Sequence, residues 1–272
     1  SARDAETLLE TALDHGLTHF DTARAYGWGA AEIMLGALAR RRRDEMVIVS
    51  KAGIAPPGMI GRALNKLGGR LSPAIAKAGE PKFGQFGPEQ ITRSVEASLA
   101  ALGTDRLDAL LLHEVRPEHV TDELKRALED LKRSGKALRV GIGASPEASA
   151  AISAAHPEVC EIVQLPAPEL GEEAPSRFPG ALAFHSVLGE RLDRFARSLG
   201  EAAARAARFA QETGCDARDR GALARLLLRC AARHGVALFS STKRENIVAN
   251  AAALSPANDE DVRGLKRFLA AA

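Results

Sequence analysis

The chain has 272 residues, 46% of them hydrophobic and 26% charged, with a formal net charge of +2. So small a net charge gives no electrostatic case for nucleic acid or an anionic membrane as the main partner. No apolar run reaches the roughly 18 residues of a membrane span, and the polar start Ser1–Thr7 has no signal-peptide core. The three cysteines (Cys160, Cys215, Cys230), without C-x-x-C spacing, read as free thiols of a reducing cytoplasm, with no metal site.

Residues 3–15 place Leu8, Leu9, Ala12 and Leu13 on one helical face, stopped by Gly16. Leu17–Phe20 reads as a short strand ending at Asp21. A loop of small residues follows, carrying Tyr26, the only tyrosine of the chain. The next helix covers 30–43, and its basic end Arg40–Arg43 suits the negative pole of the helix dipole. Met46–Ser50 is a β-branched strand that ends at Lys51. Residues 53–87 are dense in glycine and proline, which predicts a long connection with at most short helices, a candidate mobile lid. Helices over 88–102 and 118–134 flank a strand, Asp108–Leu112, that ends at His113. Leu138–Gly143 is a strand, followed by Ser145 and a helix from Pro146. Glu161–Val163 ends at Gln164, and Ala181–Phe184 ends near His185 and Ser186. Helices then fill 189–213 and 219–234. Val236–Phe239 is a strand ending at Ser240 and Ser241, and two helical stretches close the chain. No repeat or linker interrupts the pattern, so one domain over 1–272 is expected.

Short strands alternating with helices predict a parallel sheet. Seven such units and one absent first strand make a (β/α)8 TIM barrel, whose chemistry sits at the C-terminal strand ends. Asp21, Lys51, His113, Gln164 and Ser240 all fall at such ends. The rival is a doubly wound dinucleotide fold, but after Gly141-Ile142-Gly143 the third glycine position is Pro146.

Tyrosine ionises near pH ~10 in isolation, and an adjacent cation favours the phenolate. Lys51 can supply that cation, Asp21 can keep it charged and in place, and His113 can orient a carbonyl. Together the four form a proton-transfer device that needs an organic cofactor for hydride. Singly, each has a plainer reading: a helix cap for Asp21, loop packing for Tyr26, a surface site for Lys51, a structural role for His113. Two rival functions stay open, a barrel aldolase with Lys51 as Schiff base and a nucleotide-sensing binding protein with little turnover.

Phe20-Asp21-Thr22-Ala23-Arg24-Ala25-Tyr26-Gly27, continued by Glu32 and Leu35-Gly36, resembles the aldo-keto reductase pattern. So do Val49-Ser50-Lys51, the stretch from Ser98 through Asp108 to His113, and Gly135–Gly141. The resemblance implies an NAD(P)(H)-dependent reductase of aldehydes or ketones, or an oxidant of sugars and alcohols, with Asp21, Tyr26, Lys51 and His113 catalytic. It implies Ser145 and Gln164 at the nicotinamide carboxamide, and His185 where the ring is usually stacked. Ser186 and Leu188 would lie by the pyrophosphate, and Ser240, Ser241, Thr242, Arg244 and Asn250 at the adenosine end. Trp28, the only tryptophan, would line the substrate pocket. Ser240 and Asn246 stand where the family often places cations for the 2′-phosphate, with Lys243 and Arg244 nearby, so NADP(H) is expected with NAD(H) as the alternative. The family's first strand is absent before Ala5, which is expected to reflect omission or truncation.

Overall fold

The structure, a computed structural model, describes residues 2–57, 80–170, 175, 177–254 and 260–270. Helix α1 spans Ala2–Asp14, strand β1 His19–Asp21, α2 Ala30–Arg42 and β2 Val47–Ala52. Then come α3 Pro88–Leu102, β3 Ala109–His113, α4 Asp122–Arg133, β4 Val140–Gly143, α5 Pro146–Ala155 and β5 Ile162–Pro166. After β6 Ala181–His185 lie α6 Glu190–Gly200, α7 Ala203–Thr213 and α8 Arg220–Ala232. Strand β7 is Val236–Ala237, and α9 Arg244–Ala253 and α10 Glu260–Ala270 follow.

The strands form one parallel sheet in the order β1-β2-β3-β4-β5-β6-β7, wrapped as a (β/α)8-like TIM barrel. Among the described residues no ladder joins β7 to β1. The expected lid lies largely in 58–79, outside the described residues.

Register sorts each strand into an inward and an outward face. Val49 pairs with Ala109 and Lys51 with Leu111, while His113 pairs with Gly143 and Gly143 with Gln164. Alternation therefore points Val49, Ala109 and Leu111 inward, where they form a small cluster of their own with Ile162. Lys51, His113 and Gln164 stand one layer above it, at the C-terminal end. Glycine at 141 is dictated by packing: a Cβ there would lie 2.2 Å from the Ile162 carbonyl and 2.7 Å from Leu111 Cδ2. The outward residues Ile48, Leu110 and Leu112 join the main core under the helices. Truncating one of them to alanine would cost about 2–5 kcal/mol.

Helix α4 shows how local sequence fixes an element. The Thr121 hydroxyl accepts from the Leu124 N–H at 3.3 Å, acids occupy the first turn and Lys132 and Arg133 the last. Leu124, Ala127, Leu128 and Leu131 form its buried stripe. The expected helix over 118–134 therefore begins later, behind a short 3-10 turn at Pro117–His119. The expected helix over 189–213 is two helices, broken at Glu201–Ala202 so that Phe209 meets Phe195 and Phe268 edge-on, with ring centroids 5.7 and 5.4 Å apart. The last strand is shorter than Val236–Phe239: only Val236 and Ala237 pair. No described helix is long and apolar enough to cross a membrane.

Candidate active site

Lys51 is among the largest fully buried side chains described, and its ammonium has two partners. It forms an ion pair with Asp21 Oδ1 and donates to the Thr22 carbonyl at 3.0 Å. A buried cation is sustained only by such pairing. The second carboxylate oxygen of Asp21 accepts from Gln164 Nε2 at 2.7 Å, so β1, β2 and β5 are tied through one acid. Lys51 Nζ lies 4.8 Å from the centre of the Tyr26 ring, and that ring meets the His113 imidazole edge-on at 5.8 Å. The structure thus brings Asp21, Tyr26, Lys51 and His113 together.

Burial, reinforced by the Lys51 charge, pushes His113 down to about 4. Its imidazole is therefore neutral at pH 7, able to donate one hydrogen bond and accept another. Burial also lowers His185 and, at the other end of β1, His19.

Tyr26 reaches the mouth on a turn of unusual backbone. Gly27, Trp28 and Gly29 all have positive φ (54°, 56° and 89°). Among the described residues Trp28, Glu114 and Ser186 are the non-glycine residues with left-handed backbone. Glu114 and Ser186 directly follow His113 and His185, and Trp28 comes two residues after Tyr26. Such conformations cost about 1–3 kcal/mol each and concentrate at functional sites.

A cavity of about 1470 Å³ opens over these residues and extends along β1 and β7. Asp21, Tyr26, His113, Gln164, His185, Ser186, Leu188, Ser240, Ser241 and Thr242 line it. Ser145 is elsewhere employed: its hydroxyl caps α5, accepting from the Ala148 N–H at 3.2 Å. Trp28, Arg244 and Asn250 are not among the lining residues; Trp28 is exposed on the rim, Arg244 is exposed at the start of α9 and Asn250 is buried within that helix. Helices α6 and α9 carry no side-chain cap at Gly189 or Lys243 among the described residues; Gly189 and Glu190 at the start of α6 line the cavity, as does Ile247 of α9. The first turn of a helix presents N–H groups to an acceptor from outside it. The buried Thr22 hydroxyl also lines the cavity and has no partner among the described residues. These features fit an anionic, hydroxyl-rich ligand.

Sequence reading passed over a group behind the site. Glu32 is fully buried, accepts from Ser50 Oγ at 2.6 Å and pairs with Arg24 at 2.9 Å. The signal was a lone carboxylate within the apolar run Ala30–Leu35.

The description of the aldo/keto reductase family matches residues 1–166. A 6-dehydroglucose reductase of Agrobacterium fabrum is 36% identical over 145 residues, which are 52% of this chain and 44% of that protein. The chain thus matches less than half the length of that relative. A solved aldo-keto reductase of Klebsiella pneumoniae in complex with NADPH superposes with a TM-score of 0.68 at 26% identity, covering 98% of this chain and 85% of that one. A second solved structure from the same organism, in complex with NADP and acetate, gives 0.67 at 25% identity over the same shares. With more than half of its residues inside the family match and its barrel shared with these structures, the chain belongs to the aldo/keto reductase family.

Proposed function

We propose that the protein is an NAD(P)H-dependent oxidoreductase that reduces an aldehyde or ketone to an alcohol, or oxidises a sugar or other alcohol in reverse. The observation that carries this reading is the buried Lys51, paired with Asp21 and set 4.8 Å from the Tyr26 ring, with His113 beside the same ring.

Hydride is the chemistry that the nicotinamide cofactor supplies when bound. Tyr26 gives a proton to the carbonyl oxygen, and the Lys51 cation stabilises the negative charge left on the phenol oxygen. Asp21 pairs with Lys51 and holds it in place. Neutral His113 donates to the carbonyl oxygen and fixes its direction. In oxidation the same groups act in reverse, with Tyr26 as base.

For the cofactor, Gln164 and the unpartnered Thr22 hydroxyl offer polar groups beside Asp21. His185 offers a flat ring, with Ser186 and Leu188 leading to the uncapped start of α6. Ser240, Ser241 and Thr242 lead to the uncapped start of α9, where Lys243 and Arg244 supply positive charge. The family resemblance assigns Arg244 and Asn250 to the adenosine end, outside the lining of the cavity, and Ser145 supports β4 through its cap on α5. The bound NADP(H) of the Klebsiella structures supports NADP(H) ahead of NAD(H).

The test is titration with NADPH and with NADH, followed by Trp28 fluorescence and calorimetry, and then turnover on a panel of carbonyls. Micromolar NADPH binding with turnover is expected. Binding by neither cofactor sinks the reading. Tight binding without turnover would replace it by a sensing protein. Borohydride trapping of substrate on Lys51 would replace it by an aldolase, although the two oxygen partners of the Lys51 ammonium stand against its use as a nucleophile.

A further inference from the structure

Glu32 has no place in the proton path, yet it is a carboxylate with 0% exposure. Ser50, its first partner, precedes Lys51 on β2 and points to the opposite face of the sheet, as alternation requires. Its second partner, Arg24, lies in the turn between Asp21 and Tyr26, with a side chain only 16% exposed. The carboxylate itself stands in the first turn of α2, directly after the Tyr26–Gly29 turn. One buried acid therefore grips the Tyr26 turn on both sides and ties it to the strand that carries Lys51.

The turn needs such a grip. Its backbone holds itself by Tyr26 N–H to Ala23 at 3.0 Å and Trp28 N–H to Ala25 at 3.1 Å, and it contains three successive left-handed residues. Tyr26 is itself 39% exposed, so burial alone does not fix its ring. A buried ion pair adds little net stability over apolar packing, and orientation is what it can supply. We propose that Glu32 is a positioning residue, which holds Tyr26 against Lys51 by clamping the Arg24 turn to β2 from outside the barrel wall. This rests on the reductase reading for its kinetic consequence and on geometry alone for the clamp.

The variants are Glu32→Gln, Arg24→Gln and Arg24→Lys, made in the full chain. Displacing a reacting group by about an ångström costs on the order of a hundredfold in rate. Glu32→Gln and Arg24→Gln are therefore expected to lower kcat at least about tenfold, with KM for the carbonyl and Kd for NADPH within about threefold. Arg24→Lys keeps the charge and should recover most of kcat. Independently of turnover, acrylamide quenching of Trp28, the single tryptophan, should steepen in Arg24→Gln and return in Arg24→Lys. An unchanged kcat in Arg24→Gln, or an Arg24→Lys as slow as Arg24→Gln, would overturn the proposal. If Glu32→Gln does not fold, the two Arg24 variants decide. If the wild type reduces no carbonyl, the reductase reading fails, and the quenching series still decides: equal quenching in all forms removes the clamp.

Discussion

The arc from β1 to β5 and the arc of β6 and β7 hold their polar groups in different ways. In the first, site side chains bind one another across separate elements: Asp21 holds Lys51 and Gln164, and Glu32 holds Arg24 and Ser50. These groups are mostly buried, and each fixes the next. In the second arc the site hydroxyls are tied to near neighbours, His185 to Ser186 at 2.9 Å and Ser241 to the Lys243 N–H at 3.1 Å, while the longer ties there come from arginines of α6, such as Arg191 to the Ala167 carbonyl at 2.8 Å. The helix starts beside them are left uncapped. The first arc can keep a reacting geometry in the absence of any ligand. The second offers donors and waits for acceptors. The family match covers the first arc, ending at Pro166, the last residue of β5.

The sharpest way to break this contrast is Tyr26→Phe. It removes one oxygen from the first arc and should lower kcat by about 10²–10⁴ while leaving NADPH affinity unchanged, as measured by steady-state kinetics and Trp28 fluorescence. A parallel loss of affinity would show that the two arcs are not separable.

A smaller effect concerns acid. Burial lowers His113 from 6.5 to about 4, so the unfolded chain takes the proton first as pH falls. Stability from this group is present above about pH 6.5 and is lost as pH falls toward about 4, with no further loss below. His19 and His185 are shifted the same way by burial and add to the fall in the same direction. His113→Gln should flatten the fall of the urea midpoint between those pH values, and an unchanged slope would place the titration elsewhere.

The smallest effect is expected in the second arc. Replacing both Lys243 and Arg244 by alanine removes exposed charges at the start of α9, with about 0.5–1 kcal/mol expected from such contacts. NADPH binding should weaken about two- to fivefold and NADH binding should not change, as read by calorimetry. Equal weakening of both would remove these residues from the 2′-phosphate.

Legibility in the sequence follows the same division. Strands β2 and β3 are apolar runs that end in one charged or titratable residue, so both the element and its site residue could be read together. Tyr26 stood out through its rarity. Ser145 was legible as an active-site residue only through the family pattern, and the structure shows its hydroxyl spent on a helix cap. Strand β7 was overextended because Leu238 and Phe239 continue its apolar run, while a strand with one neighbour pairs only as far as that neighbour allows: Leu238 keeps a single bond, to the Phe184 carbonyl at 2.8 Å. The break between α6 and α7 was hidden in an Ala/Arg-rich stretch of high helix propensity, and the packing of Phe209 decided it. Glu32 was read as part of a pattern and given no role, because Ser50 and Arg24 come together only in the folded chain.

The shortness of β1 and β7 has a consequence for how another strand could meet the sheet as described. With three residues in one and two in the other, each outer strand presents few backbone groups for pairing.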